Sequence, residues 1–188
     1  MPPVRAKGTT LIATVRYIKD RHGPAGLEHC LAGMPEAFLA QARNGFLASS
    51  WYPFSDLVAL MRAARRELGA ADPRILWNVG RASADFGLNT VYKVFMKVGS
   101  PEFIVNKAMT VFPNYYDQGK FTVIESNKRL AIGQLAEFPE PAPELCERIQ
   151  GFFDRMLELS GATKIELTHP ECMARGGKVC RYEGRWLI

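Results

Sequence analysis

Apolar positions recur at helical spacing through the N-terminal part of the chain, in segments 9–23, 26–34, 35–43, 54–69, 73–87 and 100–112, each interrupted by Gly or Pro. Start signals accompany several of them. Ser55 and Asp56 stand near the head of one helix, Asp72-Pro73 supplies a cap and a first-turn proline, and Ser100-Pro101-Glu102 repeats the device. After Asn114-Tyr115-Tyr116 the period changes. "KFTVIE" (120–125) and "RLAIGQLAEF" (129–138) alternate apolar and polar residues around a "SNK" turn, which predicts a β-hairpin. Helical spacing returns over 141–160, with Leu145, Ile149, Phe152, Phe153 and Met156 on one side and Gly161 as the stop. "TKIELTHPEC" and "KVCRYEGRWLI" then predict two last strands joined by "MARGG".

The predicted fold class is α+β. A helical bundle over about 8–116 precedes a four-stranded antiparallel sheet over about 117–188, ordered strand, strand, helix, strand, strand, with the helix covering one face. At 188 residues, and with no internal repeat or long linker, a single domain spanning 1–188 is expected.

Composition narrows the class. Hydrophobic residues make 47% of the chain and charged ones 23%, an ordinary globular balance, and no apolar run is long enough to predict a membrane span. The N-terminus lacks a secretory pattern, so a cytoplasmic location is expected. Net charge is +5, but the basic residues are dispersed. The densest group, Arg62, Arg65 and Arg66, falls on one solvated helix face, and no nucleic-acid partner is expected.

The chain has four cysteines, at 30, 146, 172 and 180, and three histidines, at 22, 29 and 169. Gly176-Gly177 lets the two strand ends bring Cys172 and Cys180 together. His169 precedes Cys172 by three positions, and Cys146 sits on the helix that must pack on this hairpin. Three sulfurs and one imidazole would form a closed tetrahedral site for a structural zinc, with no open position for activating water. Two other readings stand beside it: three buried thiols that are simply core, and a Cys172–Cys180 disulfide. Cys30, next to His29, reads as core or surface.

These residues carry a resemblance. Cys146 followed by Gly151, then a hairpin of the form C-x-x-x-G-(D or G)-x-x-C at 172–180 with Tyr182 and Trp186 after it, resembles the C-terminal half of the 4-vinyl-reductase-type domain, a relative of haem-nitric-oxide sensors and vesicle-tethering subunits. The resemblance covers about the last fifty residues. It implies that Cys146, Cys172, Cys180 and the residue three before Cys172, here His169, bind zinc, with Glu171 as the other candidate for the fourth ligand. It also implies a small aromatic or hydrophobic molecule held between the central helices and the sheet, for which Trp77, Phe95, Phe103, Phe112 and Tyr116 are candidate contacts. The same residues read equally well as solid core.

Against the haem-binding branch, "VIESNKR" places Ile124, Ser126 and Lys128 where a Tyr-x-Ser-x-Arg motif grips the propionates. No histidine lies between His29 and His169, so no haem is expected. No catalytic triad, phosphate loop or dinucleotide fingerprint is present, and Glu137 and Glu140 flank a proline-rich loop, so an enzyme is not indicated. The expected function is a ligand-binding sensory domain with a structural zinc clasp. It would signal through a downstream protein partner or a change of oligomer, with a homodimer through the N-terminal helices. A ligand-free tethering scaffold and a tetrapyrrole-pathway accessory protein are the alternatives.

Overall fold

The computed structural model describes residues 2–87 and 100–188. A short strand, β1 (Arg5–Lys7), leads into α1 (Gly8–Leu31), which bends at Gly23, where φ is 74° and Pro24 withdraws an N–H from the helical ladder. The two helical segments expected on either side of this point are thus one kinked element. α2 (Glu36–Asn44), β2 (Trp51–Pro53), α3 (Phe54–Leu68) and α4 (Ile75–Gly87) follow. α5 (Pro101–Val111) starts at Ser100, whose hydroxyl accepts from the Phe103 N–H at 3.3 Å, so the predicted cap forms.

The second half is β3 (Lys120–Ser126), β4 (Leu130–Ala136), α6 (Pro143–Leu159), β5 (Thr163–Glu171) and β6 (Cys180–Leu187). The four strands form one antiparallel sheet in the order β3-β4-β6-β5. β6 shows the alternation cleanly: Cys180, Tyr182, Gly184 and Trp186 are buried, while the residues between them are not. α6 covers this buried face, so the α+β class and the order of its elements agree with the sequence.

A two-stranded sheet of β1 and β2 was not expected, because strands of three residues are too short to show a period of two. It has a structural consequence. Ala6 also bridges to Tyr116, and the Lys7 N–H donates to the Tyr115 carbonyl at 2.8 Å, which ties the N-terminus to the segment leading into the main sheet.

α4 and α6 meet at backbone distance. A Cβ on Gly151 would stand 2.0 Å from the Trp77 carbonyl oxygen, and one on Gly80 would stand 2.1 Å from the Arg148 carbonyl oxygen. Glycine inside a helix is unfavourable by roughly 0.5–1 kcal/mol relative to alanine, so these two positions are set by the close approach rather than by propensity. Gly151→Ala must push the helices apart. The expected loss is about 3 kcal/mol, from overpacking against a backbone atom that cannot rotate away, read as a lower urea midpoint at unchanged slope. Around this seam Arg81 pairs with Asp154 and, at 2.5 Å, with Glu158, while Arg155 pairs with Asp85 at 2.8 Å. The cluster Arg62, Arg65 and Arg66 is solvated as expected, yet Arg62 also reaches Glu144 at 3.2 Å and Arg65 pairs with Glu147, both on α6.

Candidate functional site

Two features adjoin α6, and Tyr182 borders both. The first is a cluster of thiols. The Cys146 Sγ is 3.7 Å from that of Cys172 and 3.6 Å from that of Cys180, and one nitrogen of His169 joins them, with all four donor atoms within 4.8 Å of one another. All four cysteines of the chain are free thiols. Four sulfurs around an ion at a Zn–S distance of about 2.3 Å would be separated by roughly 3.8 Å, so the spacing observed is close to a tetrahedral edge.

Local structure explains the convergence. Cys146 projects from the second turn of α6, and Cys172 and Cys180 flank a 3₁₀ turn at Met173–Arg175 that ends with Gly176 at φ 89°. The Gly177 N–H donates to the Cys172 carbonyl at 2.9 Å, and a Cβ there would lie 2.8 Å from Glu171 Cγ. Glu171 turns toward this loop, accepting from the N–H groups of Lys178 and Val179 at 2.9 and 3.3 Å. It thereby supplies to the turn the acceptor that an aspartate at 177 could give, and His169 is the residue that reaches the sulfurs.

The His169 ring lies flat on Tyr182, with centroids 4.5 Å apart and planes 3° from parallel, and its Nε2 is buried without a hydrogen-bond partner. The hydrogen bond with Cys146 draws the Cys180 thiol below its ordinary range, helped by His169 and by the Met173 N–H at 3.4 Å. The same bond, together with burial, pushes Cys146 up.

The second feature is an apolar cavity of about 100 Å³ lined by α5, α6 and the sheet. Ile104, Val105 and Ala108 form its α5 wall; Ile149, Phe152, Phe153 and Met156 form its α6 wall; Phe121, Ala131, Gly133, Tyr182 and Trp186 form its floor. Gly133 and Gly184 also line it, each making room for a neighbour: a Cβ on Gly133 would stand 2.6 Å from Phe121 Cζ and one on Gly184 2.9 Å from Leu167 Cδ2. The polar atoms at its rim come from Thr10, Ser83, Tyr115, Tyr116 and Arg148. The Tyr116 hydroxyl accepts from Arg148 at 3.1 Å, and burial pushes its phenol above the ordinary range.

Of the candidate ligand contacts, Phe112 and Tyr116 line this cavity. Trp77 stands elsewhere, under the Arg74 guanidinium at 4.2 Å, with its backbone against Gly151. Phe103 is 41% exposed on the outer face of α5, with Lys107 over its ring. Phe95 lies outside the described residues. Arg148, buried on the cavity side of α6, was not singled out from the sequence, although the spacing 145, 148, 149, 152 places it on the apolar face of the helix.

No known protein-family pattern matches the sequence, and neither does any curated protein. Solved structures do match. An H-NOX protein from S. oneidensis in the Fe(II)NO state superposes with a TM-score of 0.75 at 13% identity, covering 97% of this chain and 99% of that one. The Fe(II) unliganded H-NOX protein from K. algicida gives 0.71 at 10% identity, with 97% of each chain covered. An oxygen-binding H-NOX domain related to soluble guanylate cyclases gives 0.71 at 10% identity, covering 97% of this chain and 95% of that one.

Two expectations are corrected by these matches. The resemblance to the 4-vinyl-reductase-type domain gives way to likeness with H-NOX domains, because it rested on the C-terminal hairpin alone whereas the structural match runs through the helical half as well. The expectation of no haem also falls as an inference from kinship, since chains of this fold were solved in studies of haem distortion. None of the three histidines lines the cavity: His22 is beside Asp72 at 3.7 Å, His29 is exposed, and His169 is with the thiols, behind the lining residue Tyr182. The described cavity wall therefore supplies no imidazole for an iron, and at 10 to 13% identity what the likeness establishes is that this chain has the H-NOX fold.

Proposed function

We propose that this chain is a sensory domain that takes a small molecule into the cavity between α5, α6 and the sheet, and that Cys146, His169, Cys172 and Cys180 hold a structural zinc ion that clasps α6 to the β5–β6 hairpin. The observation that carries the first part is the apolar cavity itself. Its volume is of the scale at which a dry cavity admits a benzene-sized guest. Among the H-NOX neighbours, one solved in the Fe(II)NO state and one solved as an oxygen complex support a sensing role.

α6 is the element through which a signal would leave the cavity. Its one side faces the cavity, and its N-terminal turns carry Cys146 and the ion pairs to α3. A shift of α6 on ligand entry would be felt at all three. The proposed output is a protein partner or a change of oligomer, with a homodimer through α1 to α3 as the form to look for.

The test is thermal stabilisation by a neutral aromatic such as benzyl alcohol. At a hundredfold excess over Kd, binding to the folded state alone adds about 2.7 kcal/mol, or roughly 5–10 °C for a chain of this size. Ala108→Leu, which fills the cavity from α5, should remove that response while leaving the far-ultraviolet circular dichroism intact. An unchanged response in Ala108→Leu would place the ligand elsewhere, and no response in either protein would favour a ligand-free scaffold. A Soret band that survives purification would instead make the bound molecule haem.

A further inference from the structure

Arg148 is 4% exposed and lines the cavity. Its guanidinium donates from Nη1 to the Tyr116 hydroxyl at 3.1 Å, and from Nη2 to the Ser83 hydroxyl at 2.8 Å and the Thr10 carbonyl oxygen at 3.3 Å. All three acceptors are neutral. The Nε–H has no partner.

Among the described residues no carboxylate forms an ion pair with Arg148. The acidic residue one turn before it on α6, Glu144, is engaged by Arg62 through Oε1, and its Oε2 has no partner at all. The undescribed segment 88–99 reads LNTVYKVFMKVG and contains neither Asp nor Glu, so it brings no counter-ion either.

An uncompensated buried charge is costly. A buried lysine or carboxylate can escape by changing protonation, but a guanidinium cannot. Nor does Tyr116 answer the charge, because burial holds its phenol in the neutral form. The remaining way to balance Arg148 is an anion that arrives with the ligand. Its body would face Phe112, Phe121, Ile149 and Phe153, which offer only apolar surface.

We infer that the cavity selects a small carboxylate with an apolar body, its carboxylate on Arg148 and its body among the rings of α6 and the sheet. The inference rests on the cavity being the ligand site. It adds the charge of the ligand, which an apolar wall alone would exclude.

Isothermal titration of the full chain with benzoate and with benzyl alcohol at neutral pH separates the two statements. Benzoate should bind at least about tenfold more tightly, as expected for hydrogen bonds to a buried charge. Arg148→Lys should keep part of that preference, and Arg148→Met should lose it while still binding benzyl alcohol. Ala108→Leu should abolish binding of both.

If Arg148→Met does not fold, the preference of the unmodified chain decides alone. Benzyl alcohol binding as well as or better than benzoate overturns the anion inference and leaves the sensory reading intact. Benzoate binding that survives Ala108→Leu also overturns it. Failure of both probes to bind overturns the two together.

Discussion

Removing the ion from the thiol cluster, or replacing Cys146 by Ser, is expected to lower stability by about 4 kcal/mol and the melting temperature by roughly 8–16 °C. The size of the effect follows from where the donors come from. Cys146 belongs to α6, while His169, Cys172 and Cys180 belong to β5, the turn and β6. An ion bound there closes the chain between 146 and 180 in the folded state and binds no comparable preformed site in the unfolded one, so its binding free energy adds to folding.

The measurement is metal content by mass spectrometry under native, reducing conditions, followed by thermal melts with and without a chelator. One zinc per chain is expected, lost in Cys146→Ser. Cys30→Ser is the control. Cys30 is as buried as Cys146 but sits on α1 away from the cluster, so its replacement should cost core packing without changing the metal content. Were no metal found, with Cys146→Ser no more harmful than Cys30→Ser, the three thiols would be ordinary core and the clasp would be gone.

Much of this arrangement could be read from the sequence where the signal is local. Gly23-Pro24 marked the break in α1, Ser100-Pro101 the start of α5, and alternation marked β3, β4 and β6. The thiol cluster was also legible in its membership, because the hairpin glycines and the position of Cys146 on an amphipathic helix leave few ways for the sulfurs to face. What could not be read was anything set by two distant backbones. The glycine at 80 looks like a weak point in α4, and only the approach of α6 to within a hydrogen-atom's reach explains it.

The cavity was hidden for a similar reason. Its lining comes from α1, α4, α5, α6 and the sheet, which no periodicity connects, and of the aromatic candidates among the described residues Phe112 and Tyr116 stand in its wall while Phe103 is exposed and Trp77 lies elsewhere. The kinship was misjudged because motif residues were weighed in the final hairpin, where this chain is distinctive. The helical half carries the likeness to H-NOX domains in its path through space and not in its residue types, as the low identity of those matches makes plain.

Phe54→Ala is expected to cost about 4 kcal/mol, the range for deleting a fully buried aromatic side chain. Phe54 opens α3, where its N–H donates to the Val4 carbonyl at 2.9 Å, and its side chain is 1% exposed. The ring meets Tyr116 edge-on at 5.9 Å and Phe138 edge-on at 5.2 Å, while Phe112 lies 5.2 Å from Tyr116 on the other side. Three parts of the chain therefore converge on one aromatic group: the N-terminal sheet, the segment after α5, and the loop after β4.

Truncation would leave a void bounded by rings that cannot collapse without moving Tyr116, and Tyr116 holds Arg148 at the cavity rim. The loss should appear as a lower urea midpoint together with a weaker near-ultraviolet dichroism from the disordered rings. Phe54→Leu, which keeps most of the volume, should cost less than half as much. If both variants fall within about 1 kcal/mol of the unmodified chain, the aromatic group is not what joins the helical half to the sheet, and the rigidity assumed for the Tyr116 and Arg148 pair would have to come from the close seam between α4 and α6 instead.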